Sequence, residues 1–267
     1  MFLQRQIKFQ VLGNQIKKTG DGSDTLVSDT FNQPYHSLSG AVSESRIVYF
    51  ESTGLDELLL SSKQVDINLM EIGFGTGMNL VLLLDYLGKT QSQKNITFCS
   101  VEAYPVGPEL VLEIDFGKSL SHLNYREILK NIFSNLKPGW NTFDVHSNIS
   151  LNLFHGTFTE LSNPDDSVFD YIMHDPFSPD SNPAGWTADL FAKLSSWSSD
   201  DAMLSTYSAA TSARAAMAAA GWKIARAPGA LGKREMTVAS INPEKLSHLK
   251  RVNEKRLIER FKDGEFG

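Results

Sequence analysis

The chain has 267 residues, a formal net charge of −6 and 41% hydrophobic residues. This length fits one large α/β domain and excludes two full domains, because single hydrophobic cores stop growing near about 250 to 300 residues. The ordinary hydrophobic content excludes extensive disorder, and the acidic balance argues against a large nucleic-acid footprint, which usually needs a basic face. Cys99 is the only cysteine, which excludes a disulfide within the chain and favours a reducing compartment.

The N-terminal region joins a short alternating segment to a long polar one. It lacks the apolar stretch of a secretory signal, and nothing along the chain approaches the roughly 20 apolar residues of a membrane span. We therefore expect a cytoplasmic protein with no membrane partner. Residues 5–18 predict a hairpin, and residues 19–45 predict irregular structure rich in Gly, Ser, Asp and Pro. In this segment or directly after it lie Tyr35, His36, Glu44 and Arg46, polar residues suited to lining a site. Tyr35 and His36 are candidates for substrate contact, and surface loops that carry such groups without a role are the alternative.

From residue 65 onward, apolar strand candidates are mostly separated by helical candidates. The strand candidates are 67–72, 96–102, 149–155, 168–174, 202–207, 222–226 and 235–241, and the helical candidates are 77–88, 106–115, 124–135, 187–197 and 209–220. This alternation predicts a mainly parallel sheet covered on both faces. The last two strands are joined by a short loop, so they are predicted to be antiparallel. We therefore expect an α/β fold with a seven-stranded, mainly parallel sheet that closes in an antiparallel hairpin.

A glycine-rich turn follows the first regular strand. It contains Glu71, Gly73, Phe74, Gly75, Thr76, Gly77 and Asn79. Alternate glycines let the backbone turn tightly and approach a ligand where a Cβ would collide. A dinucleotide-binding fingerprint needs glycine at Met78, so the dehydrogenase interpretation weakens. The arrangement of one acidic residue, Glu71, followed by three alternate glycines instead resembles the first motif of Rossmann-like methyltransferases. In that motif the acidic residue lies near the amino acid portion of S-adenosylmethionine. That resemblance implies that these residues bind the cofactor.

Glu102 ends the next strand, about 25 residues after the glycine turn. At this place a Rossmann-like fold sets an acidic side chain against ribose hydroxyls, and a carboxylate can accept hydrogen bonds from both. A merely solvated glutamate is the alternative. The spacing after the turn favours contact with the cofactor.

Asp175, Pro176 and Phe177 follow the fourth parallel strand, at the edge where open α/β sheets bind ligands. Methyl transfer to an amine needs an aimed lone pair and a group that accepts hydrogen bonds or a proton. Asp175 can do this beside the cofactor, and Phe177 can wall the pocket and exclude water. The segment resembles the Asp-Pro-Pro-Tyr motif of amino-methyltransferases. A chance Asp-Pro turn is the alternative.

Taken in order from about residue 19 to 240, the motifs resemble the methyltransferase part of the MnmC family and its stand-alone, MnmD-like members. The segments that carry the resemblance are 21–23, 35–37, 40–41, 44–45, 71–79, 175–179, 182–183, 186–187, 229 and 232–236. The resemblance implies a Rossmann-like class I methyltransferase fold and S-adenosylmethionine as donor. It implies tRNA as partner, with the 5-aminomethyl group of a wobble 2-thiouridine as acceptor. No oxidoreductase domain fits this length, so a separate enzyme is expected to supply the aminomethyl intermediate.

Two positions depart from the family pattern. Thr157 stands where the family usually has an aspartate for the adenine amino group, and it can accept a hydrogen bond there without a charge. Arg214 is followed by alanine where paired arginines are common. Lys233 and Arg234 are candidates for contact with the RNA backbone, and a solvated hairpin loop is the alternative reading of both.

The C-terminal end is locally basic, with seven basic residues against two acidic ones between Lys245 and Lys262. Apolar residues at helical spacing predict an amphipathic helix whose basic face is either solvated or in contact with RNA. We thus predict an arm over 1–64, a methyltransferase core over 65–243 and a basic helix within 244–267, with no metal site. Two other functions stay open: methylation of another amine, favoured by the net acidity, and a cofactor-binding subunit without catalysis, favoured by Thr157.

Overall fold

The computed structural model describes residues 14–63, 65–89 and 94–266. Its strands are β1 (Gln15–Lys18), β2 (Asp24–Ser28), β3 (Gln33–Pro34), β4 (Asp66–Ile72), β5 (Asn95–Glu102), β6 (Gly139–His146), β7 (Ile149–His155), β8 (Phe169–His174), β9 (Ser198–Thr206), β10 (Lys223–Pro228), β11 (Glu235–Ser240) and β12 (Lys250–Arg251). Its α-helices are α1 (Ala41–Ser45), α2 (Leu55–Leu60), α3 (Met78–Gly88), α4 (Pro108–Glu113), α5 (Tyr125–Asn135), α6 (Ala188–Ser196), α7 (Thr211–Ala219) and α8 (Glu254–Lys262). No helix in these ranges is long and apolar enough to cross a membrane.

The central sheet has nine strands in the order β12-β10-β11-β9-β8-β4-β5-β7-β6. Its middle strands, from β7 through β5, β4 and β8 to β9, are all parallel. β10 and β11 form the predicted antiparallel hairpin. The predicted number of seven strands was wrong, because β6 and β12 extend the two edges of the sheet. β6 alternates between half-buried and exposed residues and β12 has two residues, so neither gives an apolar run that the sequence would reveal.

Two hydrophobic clusters cover the two faces of this sheet, because successive side chains of a strand point to opposite faces. Leu69 of β4 joins the cluster that includes α3 and α5, whereas the next residue, Met70, joins the cluster that includes α6 and α7. Phe98 and Cys99 divide in the same way on β5. This double burial explains why adjacent apolar residues such as Leu69 and Met70 are both buried in a central strand.

The residues before the main sheet form a small sheet and a helical stretch. β1 pairs with β2, and β2 pairs with β3, all antiparallel. The predicted hairpin over 5–18 lies mostly outside the described residues, and its described part, β1, pairs forward with β2. Residues 19–45 were predicted to be irregular, but they contain β2, β3 and α1. β2 is short and almost fully buried, and its polar sequence Asp-Thr-Leu-Val-Ser hides it from an apolar pattern.

The helical stretch from α1 to α2 packs against α3. Val48, Phe50 and Leu59 join Leu80 and Leu83 of α3 in one buried cluster. α3 is therefore apolar on almost every side, since it lies between the sheet and this stretch. The packing holds residues 31–45 over the carboxyl edge of the sheet, where the cavities described below open.

Candidate active site

The glycine turn links β4 to α3 at the carboxyl edge of the sheet. Gly73, Gly75 and Gly77 all have positive φ, of +98°, +55° and +79°, which disfavours a side chain at each position. A Cβ at Gly73 would also lie 2.8 Å from the carbonyl oxygen of Asp175. The turn therefore comes into direct contact with the segment that follows β8.

Glu102 lies at the end of β5 and holds the glycine turn in place. Its carboxylate accepts hydrogen bonds from the backbone N–H of Gly75 (2.8 Å) and of Tyr104 (2.6 Å). Burial raises the pKa of this carboxyl, although the hydrogen bonds from Tyr104 and Gly75 oppose the shift. Each oxygen keeps a second lone pair for a ligand hydroxyl.

A chain of polar side chains runs behind the turn. The Glu71 carboxylate accepts from Asn79 Nδ2 at 2.9 Å and from Ser100 Oγ at 2.5 Å. Burial raises the pKa of Glu71 to about 7, against the effect of these two hydrogen bonds. The same Asn79 Nδ2 is 3.5 Å from Asp175 Oδ2, and the buried Asn79 Oδ1 has no hydrogen-bond partner among the described residues. Asn79 thus links the buried carboxylate of Glu71 to Asp175.

Asp175 follows β8 and is positioned by its backbone, which donates to the carbonyl of Ile72 at 2.9 Å. Burial raises the pKa of its carboxyl well above the ordinary value, and the charges of Glu71 and Glu44 raise it further. The hydroxyl of Tyr49 is buried nearby, has no hydrogen bond of good geometry among the described residues, and acts against the rise in the pKa of Asp175. A raised pKa makes the Asp175 carboxylate a stronger base than an exposed aspartate.

Two cavities meet at Asp175. The donor cavity, of about 220 Å³, is lined by Phe31, Tyr35, Gly73, Gly75, Val101, Glu102, Ala103, Tyr104, Thr157, Phe158, Thr159, Asp175, Pro176, Phe177, Asn182 and Ala184. The acceptor cavity, of about 160 Å³, is lined by Gln33, Pro34, Tyr35, His36, Ser37, Ala41, Glu44, Ser45, Tyr49, Asp175, Pro176, Phe177, Tyr207 and Lys233. Both share Tyr35, Asp175, Pro176 and Phe177. Two ligands bound side by side would therefore approach one another at these residues.

Aromatic rings surround this junction. Phe177 stacks on Phe31 with ring centroids 4.4 Å apart and meets Tyr35 edge-on at 4.9 Å. The backbone that carries Phe177 is fixed from the other side, since Trp186 Nε1 donates to its carbonyl at 2.8 Å. Tyr207 donates to the carbonyl of Pro176 at 2.9 Å. These two hydrogen bonds fix the backbone of Pro176 and Phe177 at the junction.

Among the residues predicted for cofactor binding, Gly73, Gly75, Glu102, Thr157 and Asp175 line the donor cavity. Glu71, Phe74, Thr76, Gly77 and Asn79 lie outside its lining. Phe74 is buried, with its ring 5.7 Å from that of Phe133. The hydroxyl of Thr76 lies 3.0 Å from His36 Nε2, which ties the turn to the acceptor cavity.

The two residues predicted to contact RNA, Lys233 and Arg234, differ in position. Lys233 lines the acceptor cavity and donates to Glu44, while Arg234 is exposed and lines neither cavity. Arg214 is buried and donates to Thr237, Glu235 and the carbonyl of Met236, so it is occupied within the hairpin. Thr157 is exposed, and its hydroxyl donates to Glu160 at 2.7 Å.

Phe31, Tyr104 and Tyr49 were missed by the sequence analysis. Tyr104 lies two residues after Glu102, which is a usable signal for a residue at the mouth of the donor cavity. Phe31 and Tyr49 lie in segments without a motif, and only the fold brings them to the site.

The donor cavity fits S-adenosylmethionine in its chemistry. Gly73 and Gly75, which have no side chain, line one wall of this cavity. The Glu102 carboxylate has lone pairs left to accept hydrogen bonds from ribose hydroxyls. Aromatic rings and acidic groups at the junction suit a cationic sulfur.

Comparison with known proteins agrees with this chemistry. Residues 121–242 match a family described as S-adenosyl-L-methionine-dependent methyltransferase. The tRNA 5-methylaminomethyl-2-thiouridine biosynthesis bifunctional protein MnmC of Aromatoleum aromaticum is 30% identical over 226 residues, which are 82% of this chain and 34% of that protein. MnmC of Leptospira borgpetersenii is 29% identical over 79% of this chain and 33% of its own length. The chain thus spans about one third of the length of these relatives.

The crystal structure of MNMC2 from Aquifex aeolicus matches with a TM-score of 0.70 and 25% identity, over 94% of this chain and 76% of that one. The predicted resemblance to the methyltransferase part of MnmC, the class I methyltransferase fold and S-adenosylmethionine as cofactor are therefore confirmed.

Proposed function

We propose that this S-adenosylmethionine-dependent methyltransferase, similar to the methyltransferase part of MnmC, methylates the amine of a 5-aminomethyl group on a wobble uridine of tRNA. The product would be 5-methylaminomethyl-2-thiouridine. The observation that carries the proposal is the junction of two cavities at Asp175 and Phe177. The names of the MnmC relatives give the modified nucleoside, 5-methylaminomethyl-2-thiouridine of tRNA, and the proposed acceptor is this nucleoside without its methyl group. A separate enzyme would supply the aminomethyl group.

The acceptor amine must be neutral when it attacks. An alkylamine has an ordinary pKa near about 10.4, so it arrives mostly as an ammonium ion. Asp175 lines both cavities, and burial raises its pKa, so its carboxylate can take the proton. The amine lone pair then forms the new N–C bond while the C–S bond breaks and its electron pair stays on sulfur. S-adenosylmethionine supplies the methyl group on a cationic sulfur. Phe177 and its aromatic neighbours exclude water from this step.

The test is transfer of labelled methyl from the donor to tRNA that lacks the final methyl group, followed by nucleoside mass spectrometry. Label in 5-methylaminomethyl-2-thiouridine is the expected result. Label in protein or in free nucleosides would favour another amine as acceptor. Binding of S-adenosylhomocysteine without transfer to any of these would favour a subunit without catalysis.

The Asp175→Asn variant tests the chemistry separately. Loss of the proton acceptor is expected to lower kcat at least about 100-fold, because general base catalysis typically contributes that much. Affinity for S-adenosylhomocysteine, measured by calorimetry, is expected to stay within about threefold. Asp180→Asn, an exposed change five residues along the same segment, is the control and should keep normal kcat. Normal turnover in Asp175→Asn would remove Asp175 from the mechanism.

A further inference from the structure

The acceptor cavity contains a salt bridge that the transfer step does not use. Lys233 Nζ donates to Glu44 Oε1 across the cavity, from the loop before β11 to α1. The two partners differ in burial: the side chain of Glu44 is 9% exposed, and that of Lys233 is 46% exposed. The carboxylate is therefore a fixed part of the wall, whereas the lysine reaches it from solvent.

The place that the lysine ammonium occupies has the features of an ammonium-binding subsite. On one side lies the Glu44 carboxylate, and on another lies the ring of Tyr207, whose centroid is 5.7 Å from Lys233 Nζ. A carboxylate and an aromatic face are the two groups that bind ammonium ions most strongly. Asp175 lines the same cavity. A cation bound at this subsite therefore lies in one space with the proton acceptor.

Replacement of the Lys233 ammonium by the ammonium of a ligand costs little free energy. Removal of Lys233 alone would leave a buried carboxylate without a counter-charge, which is strongly unfavourable. Replacement by a second ammonium keeps the pair intact. Lys233 regains hydration and side-chain freedom when it leaves, because it is half exposed on a flexible stem.

We propose that Glu44 binds the ammonium group of the acceptor and that Lys233 occupies this subsite until the acceptor displaces it. The inference rests on the proposed function and deepens it. Glu44 selects a basic aminomethyl group over neutral substituents of the same size, and Lys233 acts as a competitor built into the enzyme. Lys233 is thus assigned to the acceptor cavity and not to the RNA backbone.

The test compares two anticodon stem-loop RNAs that differ only at the wobble uridine, one with 5-aminomethyl and one with 5-hydroxymethyl. Dissociation constants are measured with S-adenosylhomocysteine bound. The unaltered enzyme is expected to prefer the aminomethyl RNA by about tenfold or more, the range of a hydrogen-bonded charge pair. In Glu44→Gln this preference should shrink to about twofold, with affinity for the hydroxymethyl RNA nearly unchanged.

The Lys233→Met variant tests the competitor independently. It is expected to bind the aminomethyl RNA several-fold more tightly and the hydroxymethyl RNA as before, because only the cation competes for Glu44. Arg234→Met is the control, because Arg234 is the adjacent exposed cation and lies outside both cavities. It should leave the ratio of the dissociation constants for the two RNAs unchanged.

Two results would overturn the inference. One is an unchanged preference in a folded Glu44→Gln variant. The other is a Lys233→Met variant that binds both RNAs equally more weakly, which would place Lys233 on a phosphate or in a purely structural pair. Absence of methyl transfer by the unaltered enzyme to aminomethyl tRNA would instead refute the proposed function, and the inference with it.

Discussion

At the scale of single residues, Gly73 connects two parts of the site. Its φ is +98°, and a Cβ there would meet the carbonyl of Asp175 at 2.8 Å. In Gly73→Ala, left-handed strain of about 1 to 2 kcal/mol adds to this collision. We expect the variant to displace Asp175 and to weaken binding of S-adenosylhomocysteine at least about tenfold, as measured by calorimetry.

Gly54→Ala separates the two causes, since Gly54 also has positive φ, of +73°, but has open space where its Cβ would lie. This control should lower stability in urea denaturation and leave cofactor affinity unchanged. Equal loss of affinity in both variants would show that strain, and not contact with Asp175, explains the effect.

Glu71 predicts a pH dependence of cofactor binding. Burial raises the pKa of its carboxyl to about 7. The sequence resemblance implies that the amino acid portion of the cofactor binds near Glu71, and we expect its ammonium group to favour the ionised form. Below that pKa a proton must leave when the cofactor binds. Affinity for S-adenosylhomocysteine should therefore rise with pH by up to about tenfold per unit until pH 7 and then level off. Calorimetry from pH 5.5 to 8 would measure this.

Glu71 should also make the free enzyme less stable as pH rises, whereas cofactor affinity increases over the same range. The folded chain holds the Glu71 proton more tightly than the unfolded chain, so this contribution to stability is lost as pH rises from 4.5 to about 7. Glu71→Gln should flatten both dependences. A Glu71→Gln variant with the original pH profile of binding would assign the titration to another group.

At the scale of elements, the central strands could be predicted closely because each is rich in buried apolar residues, such as Leu69, Met70 and Ile72 in β4. β6 could not be predicted, since an edge strand with one exposed face leaves only a weak alternation. The motif residues at strand ends were likewise predictable, because chain topology alone places them at one edge of the sheet.

The stretch before the sheet shows where the sequence alone does not suffice. Phe31 lines the donor cavity and Glu44 lines the acceptor cavity, although both lie in the stretch before the sheet. Glu44 and Lys233 pair across 189 residues of chain. Neither the residue types nor their spacing in the sequence indicates that Glu44 and Lys233 form a salt bridge. From the sequence, Lys233 is therefore only a candidate for contact with RNA.

Asp85 of α3 is the group that fastens this stretch to the core. Its side chain is fully buried and accepts from Arg46 at 2.5 Å and from Lys89 at 2.8 Å. Burial alone would raise the pKa of Asp85, but these hydrogen bonds hold it below its ordinary value. In Asp85→Asn, the half-buried Arg46 loses its counter-charge. We expect the free energy of unfolding in urea to fall by about 3 kcal/mol.

Asp115→Asn is the matched control for this prediction. Asp115 is 48% exposed and lies 3.4 Å from Lys18, an exposed pair whose loss should cost less than about 1 kcal/mol. Because the pKa of Asp85 is depressed, its contribution is present at neutral pH and is lost as pH falls below about 4. The difference between Asp85→Asn and the unaltered chain should therefore shrink in acid. Equal losses in the two variants at neutral pH would show that Asp85 has no special role.

At the scale of the whole molecule, the carboxyl edge of one sheet and the stretch packed over it form a narrow, enclosed site on an acidic protein. α8 packs on the core through Leu257, and its residues Lys255 and Arg256 are exposed. The net charge is −6. Two basic groups close to the site, Arg214 and Lys233, are paired with carboxylates, whereas the neighbouring Arg234 is exposed. For the proposed tRNA substrate, we therefore expect binding at this site to depend on the modified base more than on phosphates.

This arrangement predicts a shallow dependence of tRNA affinity on salt. Each phosphate neutralised on a single-stranded loop contributes a slope of roughly −0.7 in log K against log salt concentration. With two or three contacts from groups such as Arg234, the slope should lie near about −2. Fluorescence titrations of anticodon stem-loop RNA between 50 and 300 mM salt would measure it. A slope steeper than about −5 would require a continuous basic surface, for which the exposed face of α8 is the candidate, and Lys255→Gln with Arg256→Gln should then flatten the dependence.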